Sequence, residues 1–155
     1  MLKLTNKFFI LSLYAVFITA TGCAPVPGCL DPEAINYNVN ADQDDGSCAY
    51  QGDVVIWCDE LAAEGLGKDG ATILTYYVDG KRIGSDAAYV YWTGAPECGQ
   101  SGSISATMEW KYSRTHTYSW AVVDRTGWEY WSGSEMLYAN ECTKIHLTWT
   151  KRKKK

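Results

Sequence analysis

Past its first seventeen residues the chain contains no phenylalanine: Phe8, Phe9 and Phe17 are all it has. Basic side chains are scarce in the body too. Of 14 Lys and Arg, two are Lys3 and Lys7 and five form the terminal run Lys151-Arg152-Lys153-Lys154-Lys155. Seven basic groups therefore face 18 acidic ones in between. A body this acidic repels nucleic acid and anionic lipid headgroups, which argues against a nucleic-acid partner. The basic tail reads as a solvated end. Histidine is limited to His116 and His146, which stand alone, and no two cysteines have finger spacing, so nothing points to zinc. Gly65, Gly67 and Gly70 do not form a phosphate-cradling loop ahead of a helix. The one long apolar run, Phe8 to Ile18, is about eleven residues broken by Ser12, too short to cross a bilayer as a finished helix.

That run sits behind Lys3 and Lys7 and ends in Ala20-Thr21-Gly22-Cys23. Positive start, apolar centre and small-residue end make a secretory signal peptide over residues 1–22. It resembles the signal of bacterial lipoproteins, which implies an acylated Cys23 as the first mature residue and a membrane tether. Ala20 stands where such signals usually carry Leu, and Ala20-x-Gly22 also suits ordinary cleavage, which would leave a soluble secreted chain. Ala24 after Cys23 lacks the Asp that holds some lipoproteins at the inner membrane, so the expected address is the outer membrane. Removing 22 of 155 residues leaves 133, enough for one domain with a real core and a small appendage.

Six cysteines in an exported chain point to disulfides. Cys29 and Cys48 bracket a polar segment of eighteen residues and are expected to close it. Cys98 and Cys142, each in a turn-like stretch before a strand-like run, form the second expected pair. Cys58 then remains a buried thiol at the end of Val54-Val55-Ile56-Trp57. Cys23–Cys58, if Cys23 carries no lipid, and Cys58–Cys98 stay open as alternatives.

The mature chain divides into a Pro-containing spacer at 23–28, a stapled Asp/Asn-rich segment at 29–50, a domain at 51–150 and the basic tail at 151–155. From Asp53 onward, short alternating runs are separated by Gly, Asp and Asn turns. Strands are expected near 53–58, 72–78, 81–84, 88–92, 103–110, 115–123, 128–137 and 143–150. Asp79-Gly80 is a strong two-residue hairpin signal, since type I′ turns need positive φ twice. Ile104, Ala106, Met108 and Trp110 alternate with polar neighbours, as do Ile145, Leu147 and Trp149. Period two with one polar face predicts half-buried antiparallel sheet, and this many strands predict an all-β antiparallel sandwich. The only helix expected is a short one over Asp59 to Leu66.

Seven Trp and ten Tyr follow the signal segment. Most serve core and sheet-face packing. The functional alternative is a set of exposed rings stacking on sugars or peptides, with Tyr91, Trp92, Trp128 and Trp131 as the candidates, because strand alternation turns adjacent rings to opposite faces. That alternative describes a secreted carbohydrate-binding module.

Gly28-Cys29-Leu30-Asp31-Pro32-Glu33-Ala34-Ile35-Asn36-Tyr37, continuing to Asp44-Asp45-Gly46-Ser47-Cys48, resembles a Cys-x-Asp-x-x-Ala-x-Asn-Tyr … Asp-Asp-Gly-Ser-Cys module of secreted and surface proteins of Gram-negative bacteria. Asp31, Asn36, Asp42, Asp44 and Asp45 supply oxygens suited to a hard cation such as calcium, which describes a calcium-stabilised stalk. The competing reading, which we favour, is that they cap turns. The acid spacing does not fit an EF-hand, since Asp45 falls where the loop needs glycine.

Residues 53–150 resemble small sandwich domains of bacterial surface lipoproteins through Tyr77-Val78-Asp79-Gly80-Lys81-Arg82-Ile83-Gly84, Cys98-Gly99-Gln100-Ser101-Gly102, His116-Thr117-Tyr118-Ser119-Trp120, Trp131-Ser132-Gly133 and Cys142-Thr143-Lys144. The first and third blocks are similar to PEGA-type domains, and the likeness implies an Ig-like or PEGA-like, non-enzymatic module. Catalytic signatures are weak. Ser119, His116 and Asp124 make a triad only on paper, without an elbow or oxyanion loop. Glu109, Glu129 and Asp124 are sheet-face acids. The expectation is a non-enzymatic envelope module, tethered through lipid, whose partner is an envelope protein or a glycan.

Overall fold

The computed structural model describes residues 24–150. Two short segments, β1 (Pro27–Gly28) and β2 (Gln43–Asp44), pair in parallel inside the stapled segment. The main elements are β3 (Ala49–Cys58), α1 (Glu60–Asp69), β4 (Ile73–Val78), β5 (Lys81–Ala87), β6 (Ile104–Lys111), β7 (Thr115–Asp124), β8 (Glu129–Tyr138) and β9 (Cys142–Leu147). They form a three-stranded sheet ordered β6-β3-β9 and a four-stranded sheet ordered β5-β4-β7-β8. The fold is all-β with two packed sheets, as alternation predicts.

The inward positions of both sheets meet in one core. Val54, Ile56 and Cys58 of β3, Ile145 and Leu147 of β9, and Trp110 of β6 face Leu74, Tyr76 and Val78 of β4, Tyr118 and Val122 of β7, and Leu137 of β8. Each aliphatic side chain buried this way contributes roughly 1.5–3 kcal/mol before entropy is counted. Asp79 and Gly80 both have positive φ, so the β4–β5 turn takes the conformation its sequence signals.

Antiparallel pairing holds in the four-stranded sheet and between β3 and β6. The exception is β9, which pairs in parallel with β3, Ile56 opposite Ile145. Its cause is the connection: β8 ends at Tyr138, and a turn through Asn140 and Glu141 carries the chain to the other sheet. There β9 enters from the same end as β3 and runs beside it.

Three segments depart from the sequence expectation. Residues 88–92 alternate like a strand but form turn and loop. Beyond Ala87 the chain leaves the sheet edge and lies against the end of β3, where Trp92 N–H donates to Cys58 C=O at 3.0 Å. The helix is longer than expected, because its ends are well capped. Asp59 accepts from Ala62 N–H at 2.9 Å, and Gly70 ends it in a left-handed conformation. Gly65 is no weakness there: it is the point where the Trp149 indole rests on the helix, and a Cβ would overlap that ring. Finally, β9 stops at Leu147 and β3 begins at Ala49, directly after Cys48.

Because β3 joins the stapled segment to α1, these two lie at opposite ends of the sandwich. The stapled segment is docked rather than appended. Cys29, Ala34 and Cys48 are buried in the domain core, although a loop this polar builds no core alone. Among the described residues the disulfides are Cys29–Cys48 and Cys98–Cys142, and Cys58 is a buried free thiol. The second bridge ties the loop after β5 over the outside of the three-stranded sheet, helped by Lys144 Nζ–Glu97 Oε1 at 2.6 Å. Val55, on the face that alternation reads as solvated, is thereby fully buried.

Candidate functional site

The five oxygen-bearing residues of the stapled segment do not gather around a point. Asp31 turns to the β6–β7 connection, where its carboxylate takes Arg114 Nε at 2.7 Å and Nη2 at 2.8 Å. Tyr50 OH donates to it at 2.8 Å and Glu33 N–H at 3.0 Å. The Arg114 guanidinium, with these donors, lowers the Asp31 pKa to about 2. Asn36 receives Ala49 N–H and donates to Ser47 C=O, clamping the staple. Asp42 accepts from Val26 N–H, Asp44 from Gly46 N–H and Asp45 from Ser47 N–H. These are turn and clamp bonds. Among the described residues no three His, Cys, Asp or Glu side chains converge as metal ligands would.

The four stacking candidates differ in exposure and in what they pack against. Trp128 is exposed in the β7–β8 turn, and Tyr91 is exposed in the loop after β5, its hydroxyl 3.3 Å from Glu60 Oε1. Trp92 is half-buried in that loop. Trp131 is a packing residue: it lies in a ring cluster with Tyr130 and Trp149, and its Nε1–H donates to Thr148 C=O at 3.0 Å. A register shift between Val122 and Val123 places both Tyr130 and Trp131 against the core, so strand alternation does not turn these neighbours to opposite faces. Of the four, Tyr91 and Trp128 are the exposed rings.

Nor does the paper triad assemble. Ser119 and His116 lie on opposite faces of β7, and Asp124 closes the β7–β8 turn by accepting from Thr126 and Trp128 N–H. Burial opposes ionisation of Asp124, but the Thr126 hydroxyl and these N–H groups hold its pKa below the usual range. The acid that both other residues meet is Asp79. Its Oδ1 accepts from Ser119 N–H at 2.8 Å and Ser119 Oγ at 3.2 Å, and its Oδ2 is 3.6 Å from His116 Nε2. The carboxylate stands between serine and histidine, so histidine has no contact through which to take the serine proton. Glu109 lies on the three-stranded sheet, apart from Asp124 and Glu129 on the other. The Cys58 thiol donates to Val90 C=O, and burial pushes its pKa up to about 11, far from a thiolate nucleophile.

What the fold does assemble is a shallow trough of about 540 Å³ on the outer face of the four-stranded sheet. Tyr77 borders it, the floor is Ala121 and Gly133, and Ser119, Ser132 and Ser134 point into it. These residues come together through register: Tyr77 lies opposite Ala121, Ala121 opposite Ser132, and Ser119 opposite Ser134. The Trp120 indole fills the space beneath, since a Cβ on Gly133 would sit 2.9 Å from it. The floor is thus shallow because large side chains are absent above and rigid because a ring lies below. Sequence reasoning missed this site. Its one signal was the Ser132-x-Ser134 alternation, which carries no information until the β7 partners are known.

Cys23, the signal segment and the basic tail lie outside the described residues. Within the described residues no helix is long and apolar enough to cross a membrane. The chain matches no protein-family model, no curated protein and no solved structure.

Proposed function

We propose that this chain is a non-enzymatic binding or structural accessory module of the bacterial cell envelope, exported and held at the outer membrane by lipid on Cys23. The observation that carries the reading is the pair of disulfides Cys29–Cys48 and Cys98–Cys142. Such bridges persist in oxidising compartments, in keeping with the export signal at residues 1–22. Support also comes from the occupation of reactive groups. Asp31, Asp59, Asp79 and Asp124 hold the stapled segment, the helix start and two turns. A module built this way presents rigid faces rather than a reaction centre.

Metabolic labelling with palmitate tests the anchor. The expected result is label on the mature chain, with globomycin causing the uncleaved form to accumulate. A mature chain without label, recovered from the medium, removes the anchor from the proposal.

A further inference from the structure

We infer that the trough on the four-stranded sheet is a binding site for a neutral oligosaccharide. This rests on the reading of the chain as an envelope binding module and names the ligand class of one of its faces.

Charge favours a neutral ligand. The residues lining the trough carry no ionisable acid or base of ordinary pH, in a body where 18 acidic groups outnumber the basic ones. The charged groups at its margin, Asp79, Glu129 and Arg82, hydrogen-bond to serine side chains. Asp79 holds the Ser119 N–H and hydroxyl, and Arg82 donates to Ser85 Oγ at 2.7 Å. No charged side chain lines the trough itself, so a neutral ligand loses no ion pair by binding there.

Hydrogen-bonding capacity favours a polyhydroxylated one. Among the described residues nothing bonds the Tyr77 and Ser134 hydroxyls, so each can both donate and accept. Ser119 donates to Asp79, and Ser132 donates to Glu129 Oε1 at 2.6 Å, so each leaves lone pairs for an incoming donor. Along β8 the serines repeat at about 7 Å, and strands lie about 5 Å apart. This places hydroxyls on a grid at the scale of one sugar ring. Sugar hydroxyls, which donate and accept at once, match that mixture. The Tyr77 ring offers an apolar surface for the C–H face of a pyranose beside its own polar tip. A trough near 540 Å³ falls within the roughly 300–1,000 Å³ range of small-ligand sites.

β7, which forms the middle of the trough, is an interior strand bonded to β4 and β8. Its main chain is taken up in ladders, so a ligand over Ser119 and Ala121 meets side chains rather than free backbone, and strand addition beside the trough is confined to the β8 edge.

The test is a glycan array of neutral and acidic oligosaccharides probed with the purified chain, followed by calorimetric titration of the best neutral ligand. The expected result is retention of neutral glycans, with affinity reduced about tenfold or more by Tyr77→Ala and by Ser134→Arg, which fills the trough. Trp128→Ala, on the exposed turn, should leave affinity unchanged. Circular dichroism of both trough variants guards against misfolding, and Tyr77→Phe, which keeps the ring and loses the hydroxyl, should bind with affinity between the parent and Tyr77→Ala. In the amide NMR spectrum, ligand should shift Ser119 and Ser134. An array silent for neutral glycans, or binding indifferent to folded Ser134→Arg, overturns the inference. Palmitate labelling keeps the two readings apart. A labelled chain with a silent array removes the saccharide site alone, and an unlabelled chain with trough-dependent binding removes the anchor alone.

Discussion

Asp31 and Arg114 are 83 residues apart in sequence, yet they meet in a two-point bond at 2.7 and 2.8 Å that fastens the stapled segment to the sandwich. The same guanidinium reaches Glu33 Oε1 at 3.1 Å, and Asn140 Nδ2 donates to Glu33 C=O at 2.9 Å. Paired, planar geometry of this kind is what arginine supplies and lysine does not.

The bond has a pH signature. Asp31 is lowered from 3.8 to about 2 in the folded protein, chiefly by Arg114. A depressed acid contributes stability above its unfolded pKa and loses it as pH falls through the folded value. Thermal melts should therefore show no contribution from this group to the pH dependence between pH 7 and 5. They should show a falling Tm between about pH 4 and 2 that Asp31→Asn flattens. Arg114→Ala should lower Tm at neutral pH and expose residues 29–48 to protease. An Arg114→Ala chain as stable and protease-resistant as the parent contradicts the clamp.

Gly65 sits mid-helix beneath the Trp149 indole. Propensity alone favours alanine there by up to about 1 kcal/mol. Packing opposes it, since the ring must move, and overpacking a filled site costs about 1–3 kcal/mol. Gly65→Ala is expected to destabilise in urea melts. Stabilisation would mean that the ring yields freely.

The two bridges close loops of different length. Sequence separations of 19 and 44 correspond to about 3 and 4 kcal/mol of unfolded-chain entropy. Paired Cys→Ser replacement should cost more at Cys98/Cys142 than at Cys29/Cys48. Denaturant midpoints of the two double variants give the order directly.

With its thiol pushed up to about 11 by burial, Cys58 should resist alkylation in the native state at pH 8. Intact mass after iodoacetamide should show Cys58 unmodified when native and alkylated once in denaturant without reductant. Labelling of Cys58 in the native protein would place it nearer the surface than the fold does.

The oxygens of Asp42, Asp44 and Asp45 accept backbone N–H groups within the stapled segment. Chelator should therefore leave Tm unchanged, and added calcium should not raise it. A calcium-dependent Tm would revive the cation reading.

Local chemistry was readable from the residues in order: alternation for the strands, Asp79-Gly80 for the hairpin, and Cys29–Cys48 and Cys98–Cys142 among the possible bridges. Each depends on neighbours in sequence or on the reach of a closed loop. Non-local arrangement was not readable. The parallel seat of β9 depends on which end of the other sheet it enters. Tyr89 and Tyr91 alternate as strand residues do, but the sheet edge was already left behind at Ala87. Asp31 finds Arg114, and Tyr77 finds Ser119 and Ser134, only once register is set. Covalent periodicity tells which face a side chain takes, while the pairing of strands distant in sequence decides what stands across from it.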